Sequence, residues 1–137
     1  MGRRRQAREN ALHSLYLVES GLREDAAFRS INSEVDDDAT LEFTRRLFKG
    51  TLLHRESLDR RISEIAVNWD VKRMAAVDRN VLRMAAFELI HCPDTPPSVV
   101  INEALEIVKK YSTEDSVRFV NGILDRVKEE WLEPPAP

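Results

Sequence analysis

The sequence contains few residues that break regular structure. Four glycines and six prolines are spread over 137 residues, well below the average usage of these two types. Such a composition favours long uninterrupted elements, and chiefly helices. The glycines are also too scattered to form a phosphate-binding loop of the G-x-x-x-x-G-K-[ST] or G-x-G-x-x-G type. This excludes P-loop nucleotidases and Rossmann dehydrogenases.

The sequence also lacks the patterns that usually carry chemistry. Its single cysteine, Cys92, cannot form an intramolecular disulfide. The three histidines are far apart, and none lies in an H-E-x-x-H or C-x-x-C context. The serines show no nucleophile-elbow context. We therefore expect a protein that is not an enzyme, with no catalytic residue, no metal and no cofactor.

No targeting or membrane segment is evident in the sequence. No apolar run approaches the length of about 18 residues that a membrane span needs. The basic N-terminus is not followed by the apolar stretch of a secretory signal. These features predict a cytoplasmic protein without a membrane partner.

Apolar residues recur at helical spacing along most of the chain, and no alternating strand pattern occurs. The longest such pattern runs from Ala39 to Trp69, with Gly50 or the step at residues 55–57 as the two places where it could divide. No internal repeat of 20–50 residues is visible. The sequence therefore predicts an all-α protein, a compact bundle of six or seven helices.

Charge is distributed unevenly along the chain. The formal net charge of −3 gives no general reason to expect a nucleic-acid partner. The first eight residues, here called the N-terminal arm, nevertheless hold four arginines and no acid: Arg3, Arg4, Arg5 and Arg8. Guanidinium groups bind phosphate in a forked geometry, yet at a helix N-terminus they oppose the helix dipole. Two interpretations stay open, a phosphate-binding arm and a solubilising basic terminus.

The last helix carries an aromatic residue outside its apolar stripe. Phe119 lies about 115° from the centre of that stripe at 100° per residue. An aromatic ring close to arginines and a glycine is typical of a platform on which a nucleobase stacks; the alternative is a ring that covers the rim of the core. Tyr16 is a similar case at the edge of the first helix, where a buried ring with a surface hydroxyl is the expected arrangement. The stripe consists of Val117, Val120, Leu124, Val127 and Trp131, and the neighbours of Phe119 are Asp115, Arg118, Gly122 and Arg126.

Four sequence blocks together resemble a known family. They are R-R-x-A-R-x-x-A-L-x-x-L-Y at residues 4–16, V-D-R-x-V-L-R-x-A-x-x-E-L at 77–89, I-N-E-A-x-E at 101–106 and F-V-N-G-x-L-D at 119–125. In this order they resemble the NusB family of bacterial transcription antitermination factors. Residues 22–75 match that family in length and helical character more than in motif.

The resemblance implies a fold, partners and a function. The fold is one NusB-like RNA-binding domain over residues 1–137, with packed helical subdomains at about 1–70 and 71–132 and a disordered tail at 133–137. The implied partners are the ribosomal protein NusE, boxA-type single-stranded RNA in ribosomal RNA leaders, and the RNA polymerase elongation complex with other Nus factors. The implied function is transcription antitermination.

The resemblance also assigns residues to the RNA-binding surface. Asp78 matches an acidic position near the partner and RNA surface. Arg3 is included among the RNA-binding residues on charge alone. At Gln6 the family often has a further arginine, so the run of arginines in this sequence is displaced by one residue toward Arg3. Asn102, Glu103 and Asn121 are interpreted as buried polar groups that join helices. The RNA contacts carried over from the family are Arg4, Arg5, Arg8, Tyr16, Asp115, Arg118 and Phe119.

Two alternatives to this function remain open from the sequence. A NusB-like domain also occurs at the front of some ribosomal RNA cytosine methyltransferases, so the chain could be the RNA-recognition fragment of such an enzyme. The sequence has no room for a cofactor-binding Rossmann domain, so this alternative holds only if the chain is a fragment. The other is a protein-interaction module whose homodimer masks the N-terminal arm.

Overall fold

The computed structural model describes residues 2–66 and 70–132. All regular structure within these residues is helical, and seven α-helices are present, which confirms the all-α prediction. Trp69 and the tail at 133–137, for which disorder is predicted, lie outside the described residues. No helix in the described part of the chain is long and apolar enough to cross a membrane.

The chain forms two compact units, unit 1 (Met1–His54) and unit 2 (Arg55–Pro137). The boundary lies earlier than the position near residue 70 expected from the sequence. The long apolar pattern divides at His54, between a helix that ends at Leu53 and one that begins at Arg55, while Gly50 stays inside the first of these. The helix that begins at Arg55 packs against later helices of unit 2, which explains the earlier boundary.

Unit 1 contains three helices, and the first packs against both others. The first helix ends at a turn in which Gly21 has a φ of 112° and donates its N–H to the Val18 carbonyl at 3.0 Å. This left-handed conformation suits glycine because it has no Cβ. The helices are α1 (Gly2–Glu19), α2 (Glu24–Asn32) and α3 (Asp38–Leu53).

Unit 2 contains four α-helices, of which the third along the chain is introduced by a proline in its first turn. The connector after the first of them contains a single 3-10 turn, Val71–Arg73. The helices are α4 (Arg55–Ile65), α5 (Ala76–His91), α6 (Pro97–Tyr111) and α7 (Glu114–Val127), followed by a π-helical segment, Lys128–Leu132.

A buried ion pair joins α4 to α5. The Arg83 guanidinium donates from Nε to Asp59 Oδ1 at 2.6 Å and from NH2 to Asp59 Oδ2 at 2.8 Å. The Arg83 side chain is only 8% exposed, so loss of Asp59 would leave a buried and uncompensated charge. The pair therefore fixes the position of α5, which carries Asp78 in its first turn.

The apolar stripe of α7 faces the core, as predicted. Val120, Leu124 and Val127 are buried, and Val117 is half-buried. The interpretation of Asn102 as a buried group is wrong, since this residue is exposed. It follows the buried Ile101, so its side chain leaves the helix on the solvent side. Glu103 and Asn121 are half-buried.

Candidate nucleic-acid interface

The N-terminal arm forms the first two turns of α1, and its first turn contains no acidic residue. Arg3 and Arg4 are exposed, and Arg5 is half-buried. The Arg3 guanidinium lies 3.8 Å from Asp37 Oδ1, an ion pair open to solvent and therefore weak. The arm thus presents cationic groups to solvent at the end of α1 where the helix dipole is positive.

The ring of Phe43 on α3 supports two arginines of the arm. The Arg4 guanidinium carbon lies 3.9 Å from the ring centroid, and that of Arg8 lies 5.4 Å from it. Phe43 is buried, so these cation–π contacts hold the arm against a fixed ring. Arg8 is itself only 4% exposed and differs in this from Arg3 and Arg4. Its RNA contact stays a prediction, and in this structure its side chain belongs to the packed interior.

Asp37 joins the start of α3 to the arm. Its Oδ2 accepts hydrogen bonds from the Thr40 hydroxyl at 2.5 Å and the Thr40 N–H at 2.9 Å, which caps the helix. These two bonds and the nearby charge of Arg3 hold the pKa of the Asp37 carboxyl below its ordinary value. The group is therefore fully ionised at neutral pH.

Tyr16 lies on the surface of α1. The expectation of a buried tyrosine is wrong, because its side chain is 51% exposed. The neighbouring Leu12 and Leu15 fill the core instead. Tyr16 follows Arg5 by eleven residues, about three helical turns, so the two lie on the same side of α1 about 16 Å apart. An exposed ring in line with a cation is suited to stacking on an unpaired base.

Phe119 borders a cavity of about 240 Å³ in unit 2, here called the α7 pocket. The Phe119 side chain is half-buried. It is therefore neither sealed in the core nor fully open, and it forms one wall of a concave surface. The pocket is lined by Arg73, Met74, Ala75, Asp78, Asp115, Ser116 and Phe119.

Asp78 supplies a buried acceptor to the α7 pocket. The residue is 6% exposed, and its Oδ2 accepts a hydrogen bond from the Ser116 hydroxyl at 2.6 Å. Its other carboxylate oxygen, Oδ1, is buried and has no hydrogen-bond partner within the described residues. A buried acceptor without a donor costs free energy. Asp78 is therefore a lining residue of the pocket with one hydrogen-bonded oxygen and one buried oxygen that has no donor among the described residues.

The other predicted residues of α7 lie around this pocket in different ways. Asp115 lines it and also forms an ion pair with Arg118. Arg118 faces a separate cavity of about 510 Å³ and does not line the α7 pocket. A Cβ added at Gly122 would meet nothing within 4 Å, so the helix surface there is open. Arg126 is paired with Glu130 at 2.7 Å.

The structure adds three residues that the sequence did not single out: Arg73, Met74 and Ser116. Arg73 brings an exposed cation to the edge of the α7 pocket, and Ser116 orients Asp78. Ser116 is separated from Asp78 by 38 positions, so no local spacing reveals the pair. Arg73 is the last residue of the 3-10 turn, and a lone arginine in a connector carries no signal of its own.

The predicted site residues therefore fall into two groups. Unit 1 holds the arm arginines and Tyr16, and unit 2 holds Asp78, Asp115, Arg118 and Phe119. Within the described residues no group of three or more His, Cys, Asp or Glu side chains is placed to hold a metal ion.

Comparison with known proteins gives consistent matches. The sequence pattern of the NusB family matches residues 5–129. Transcription antitermination protein NusB of Elusimicrobium minutum is 44% identical over 134 residues, which cover 95% of this chain and 96% of the relative. The same protein of Symbiobacterium thermophilum is 46% identical, with 90% of this chain and 88% of the relative covered.

Solved structures give the same result. A crystal form of T. maritima NusB superimposes with a TM-score of 0.87 at 37% identity, over 93% of this chain and 91% of that one. A second match is a chain in a crystal structure of the antitermination factors NusB and NusE in complex with double-stranded RNA. It superimposes with a TM-score of 0.87 at 28% identity, over 96% of this chain and 99% of that one.

Proposed function

Because the chain belongs to the NusB family, we propose that it is a transcription antitermination factor that binds boxA RNA together with NusE. The RNA is the boxA element of nascent ribosomal RNA leaders. The complex acts on elongating RNA polymerase with other Nus factors in the cytoplasm, and the chain itself catalyses no reaction. The antitermination name carried by its relatives favours this function over the recognition fragment of a methyltransferase.

The two groups of site residues support two roles in RNA binding. The exposed arginines of the arm bind phosphates, which sets affinity but carries no sequence information. Tyr16 and Phe119 offer rings for unpaired bases, and Asp78 offers an acceptor for a base edge. The half-buried ring of Phe119 in the wall of the α7 pocket, which Asp78 also lines, is the observation that carries this proposal, because a ring at a concave polar surface fits a stacked base.

The chemistry of the pocket favours some bases over others. Cytosine and adenine present exocyclic amino groups, and guanine presents N1–H and an exocyclic amino group, all of them donors that a carboxylate accepts. Asp115 adds a second carboxylate to the wall. Uracil also presents a donor, N3–H, but it lies between two carbonyl oxygens that a carboxylate repels. We therefore expect the α7 pocket to prefer a base that carries an amino group over uracil.

The charge of the chain accounts for the need for a partner. With a net charge of −3 and few cations on the arm, the protein alone binds a polyanion weakly. A basic ribosomal protein bound beside the RNA extends the positive surface. The pair then binds better than either member.

A direct titration tests this function. The protein is mixed with NusE and fluorescent boxA RNA, and anisotropy is measured against a scrambled RNA of equal composition. We expect clear preference for boxA and tighter binding with NusE than without it. Equal binding of both RNAs would contradict the proposal. Light scattering on the same samples tests the masking alternative, which predicts a free homodimer that dissociates when RNA binds.

A further inference from the structure

Unit 1 contains a second basic surface that the proposed function does not use. A cavity of about 670 Å³ opens between α2 and α3 and is here called the α2–α3 groove. Four of its eight residues are cations, and two are acids. The groove is lined by Arg23, Glu24, Asp25, Phe28, Arg29, Arg45, Phe48 and Lys49.

Two aromatic rings form the floor of the groove and hold one cation above it. Phe48 is fully buried, and its ring centroid lies 5.5 Å from that of the half-buried Phe28. The Arg45 guanidinium carbon lies 5.0 Å from the Phe28 centroid. This cation–π contact reduces the freedom of a long side chain. Phe28 is thus packed against one ring and lies beneath one cation.

Three of the groove cations are not neutralised. Arg23 lies 3.8 Å from Asp25, but Arg29, Arg45 and Lys49 form no ion pair with a carboxylate in the described parts of the chain. This is notable in a protein with 24 acidic and 21 basic residues. Arg45 and Lys49 are four residues apart on one face of α3, a spacing at which like charges repel. An anion bound between them would remove this repulsion.

The groove and the arm are separate places on unit 1. Arg3 pairs with Asp37 at the start of α3, whereas Lys49 lies in the last turns of that helix. The twelve residues between these positions correspond to about 18 Å of helix. A single phosphate cannot contact both places, so a ligand common to them must be extended.

We propose that the α2–α3 groove is a second RNA contact, in which Arg29, Arg45 and Lys49 bind the phosphates of unpaired nucleotides that flank the boxA element. This inference rests on the proposed function, because it assigns the groove to the same transcript. Cations without carboxylate partners set beside aromatic rings favour RNA over a protein segment, since phosphates match the charge and bases match the rings. An exposed guanidinium held on a ring additionally offers a flat surface on which a base stacks.

Charge-matched variants test the groove in the presence of NusE. The groove variant carries Arg45→Gln and Lys49→Gln, and the control carries Arg55→Gln and Arg60→Gln, which are exposed positions of α4 without an ion pair among the described residues. Each variant loses two positive charges. Affinity is measured over a range of salt concentrations for two RNAs, the boxA core alone and the same core with unpaired uridine extensions at both ends.

The expected result concerns only the extended RNA. The wild-type protein should bind it more tightly than the core, with a steeper salt dependence. The groove variant should lose about ten-fold in affinity for it, and the slope of log K against log salt should fall by about 1.4, as for two phosphate contacts on a single strand. Both variants should bind the core like the wild type, and the control should also bind the extended RNA normally.

Each other outcome has a defined meaning. If the wild type binds both RNAs with the same affinity and slope, or if the groove and control variants behave alike, the groove proposal is wrong while the proposed function stands. If the wild type prefers neither RNA over scrambled sequences, the proposed function itself fails. If the groove variant binds both RNAs normally but loses NusE, the groove is a protein contact and the assignment to RNA is overturned.

Discussion

The two units of this protein offer different chemistry to an RNA. In unit 1 most candidate groups are cations at the surface, held by rings such as Phe43, and the exposed ring of Tyr16 lies on the same helix as these cations. In unit 2 they are a half-buried ring and a buried carboxylate, Phe119 and Asp78, which share one pocket. Exposed cations bind any phosphate and respond to salt, whereas a shaped pocket distinguishes one base from another. If the proposed roles hold, affinity and selectivity are separated along this chain, and we expect that they can be altered independently.

The largest effect is expected from removal of the exposed charges of the arm. A variant with Arg3→Gln, Arg4→Gln and Arg5→Gln loses three phosphate contacts, each contributing about 0.7 to the salt slope on a single strand. The slope should therefore fall by about 2.1 and the affinity about a hundred-fold at 0.1 M salt. The loss should be the same for boxA and scrambled RNA, as measured by anisotropy titrations at several salt concentrations.

Thermal unfolding provides the control for the arm variant. Removal of three charges that oppose the dipole of α1 is offset by loss of the Arg4 contact with Phe43 and of the weak Arg3–Asp37 pair, so Tm should change little. Arg8→Gln should instead lower Tm, because that side chain is buried beside Phe43. A triple variant that binds RNA normally would show that the arm is only a solubilising terminus.

The next largest effect is expected in unit 2, at the α7 pocket. Phe119→Ala removes the ring from the wall of the α7 pocket and should cost about 1–3 kcal/mol of RNA affinity, as for one stacked base. The salt slope should not change, because no charge is lost. Phe119→Tyr, which keeps the ring, should bind RNA like the wild type.

The measurement of Phe119→Ala combines titration with thermal unfolding. Phe119 is half-buried and lies outside the buried stripe of α7, so Tm should change little. A sharp fall in Tm with unchanged RNA affinity would instead show that the ring serves to cover the core.

A smaller effect on affinity, but a larger one on selectivity, is expected from Asp78→Asn. The amide keeps the shape of the side chain and still accepts from Ser116, but its nitrogen is now a donor where the carboxylate only accepts. We expect a loss of about 1–3 kcal/mol in discrimination between amino-bearing bases and uracil. Binding to a set of boxA RNAs with single substitutions measures this, and an unchanged order of preference would exclude Asp78 from base recognition.

Much of the fold follows from periodicity in the sequence. The helices, the turn at Gly21 and the apolar stripe of α7 are local features, and their prediction needs only residue spacing. The same spacing also predicts that Phe119 lies outside the apolar stripe of α7, so this one feature of the site follows from the sequence alone. The apolar pattern is satisfied by a division at Gly50 and equally by one at residues 55–57, so spacing alone does not place the end of α3. The packing of α4 against later helices of unit 2 accounts for the division at His54.

The details of the site depend on contacts between distant positions. The exposed Tyr16 and the buried Arg8 lie on one helix, and only the packing of α3 against α1 determines which of them is covered. The pairing of Asp78 with Ser116 joins α5 to α7 and leaves one oxygen without a donor. No local pattern contains this information, and residue types alone do not distinguish the satisfied oxygen from the unsatisfied one.

The smallest expected effect tests how the arm is joined to the core of unit 1. Because the folded-state pKa of Asp37 lies below its ordinary value of 3.8, its contribution to stability is present above that value and is lost as the pH falls through the folded-state pKa. Asp37→Asn retains a good N-cap but no longer titrates. Tm should therefore be similar in the two proteins at neutral pH, and it should fall less steeply for the variant below about pH 4. Parallel curves of Tm against pH would show that the cap bonds from Thr40 do not depend on the charge of Asp37. The variant also frees Arg3 from its ion pair, so a slight gain in RNA affinity at low salt should accompany the change, in the direction opposite to that expected for the arginine substitutions in the arm.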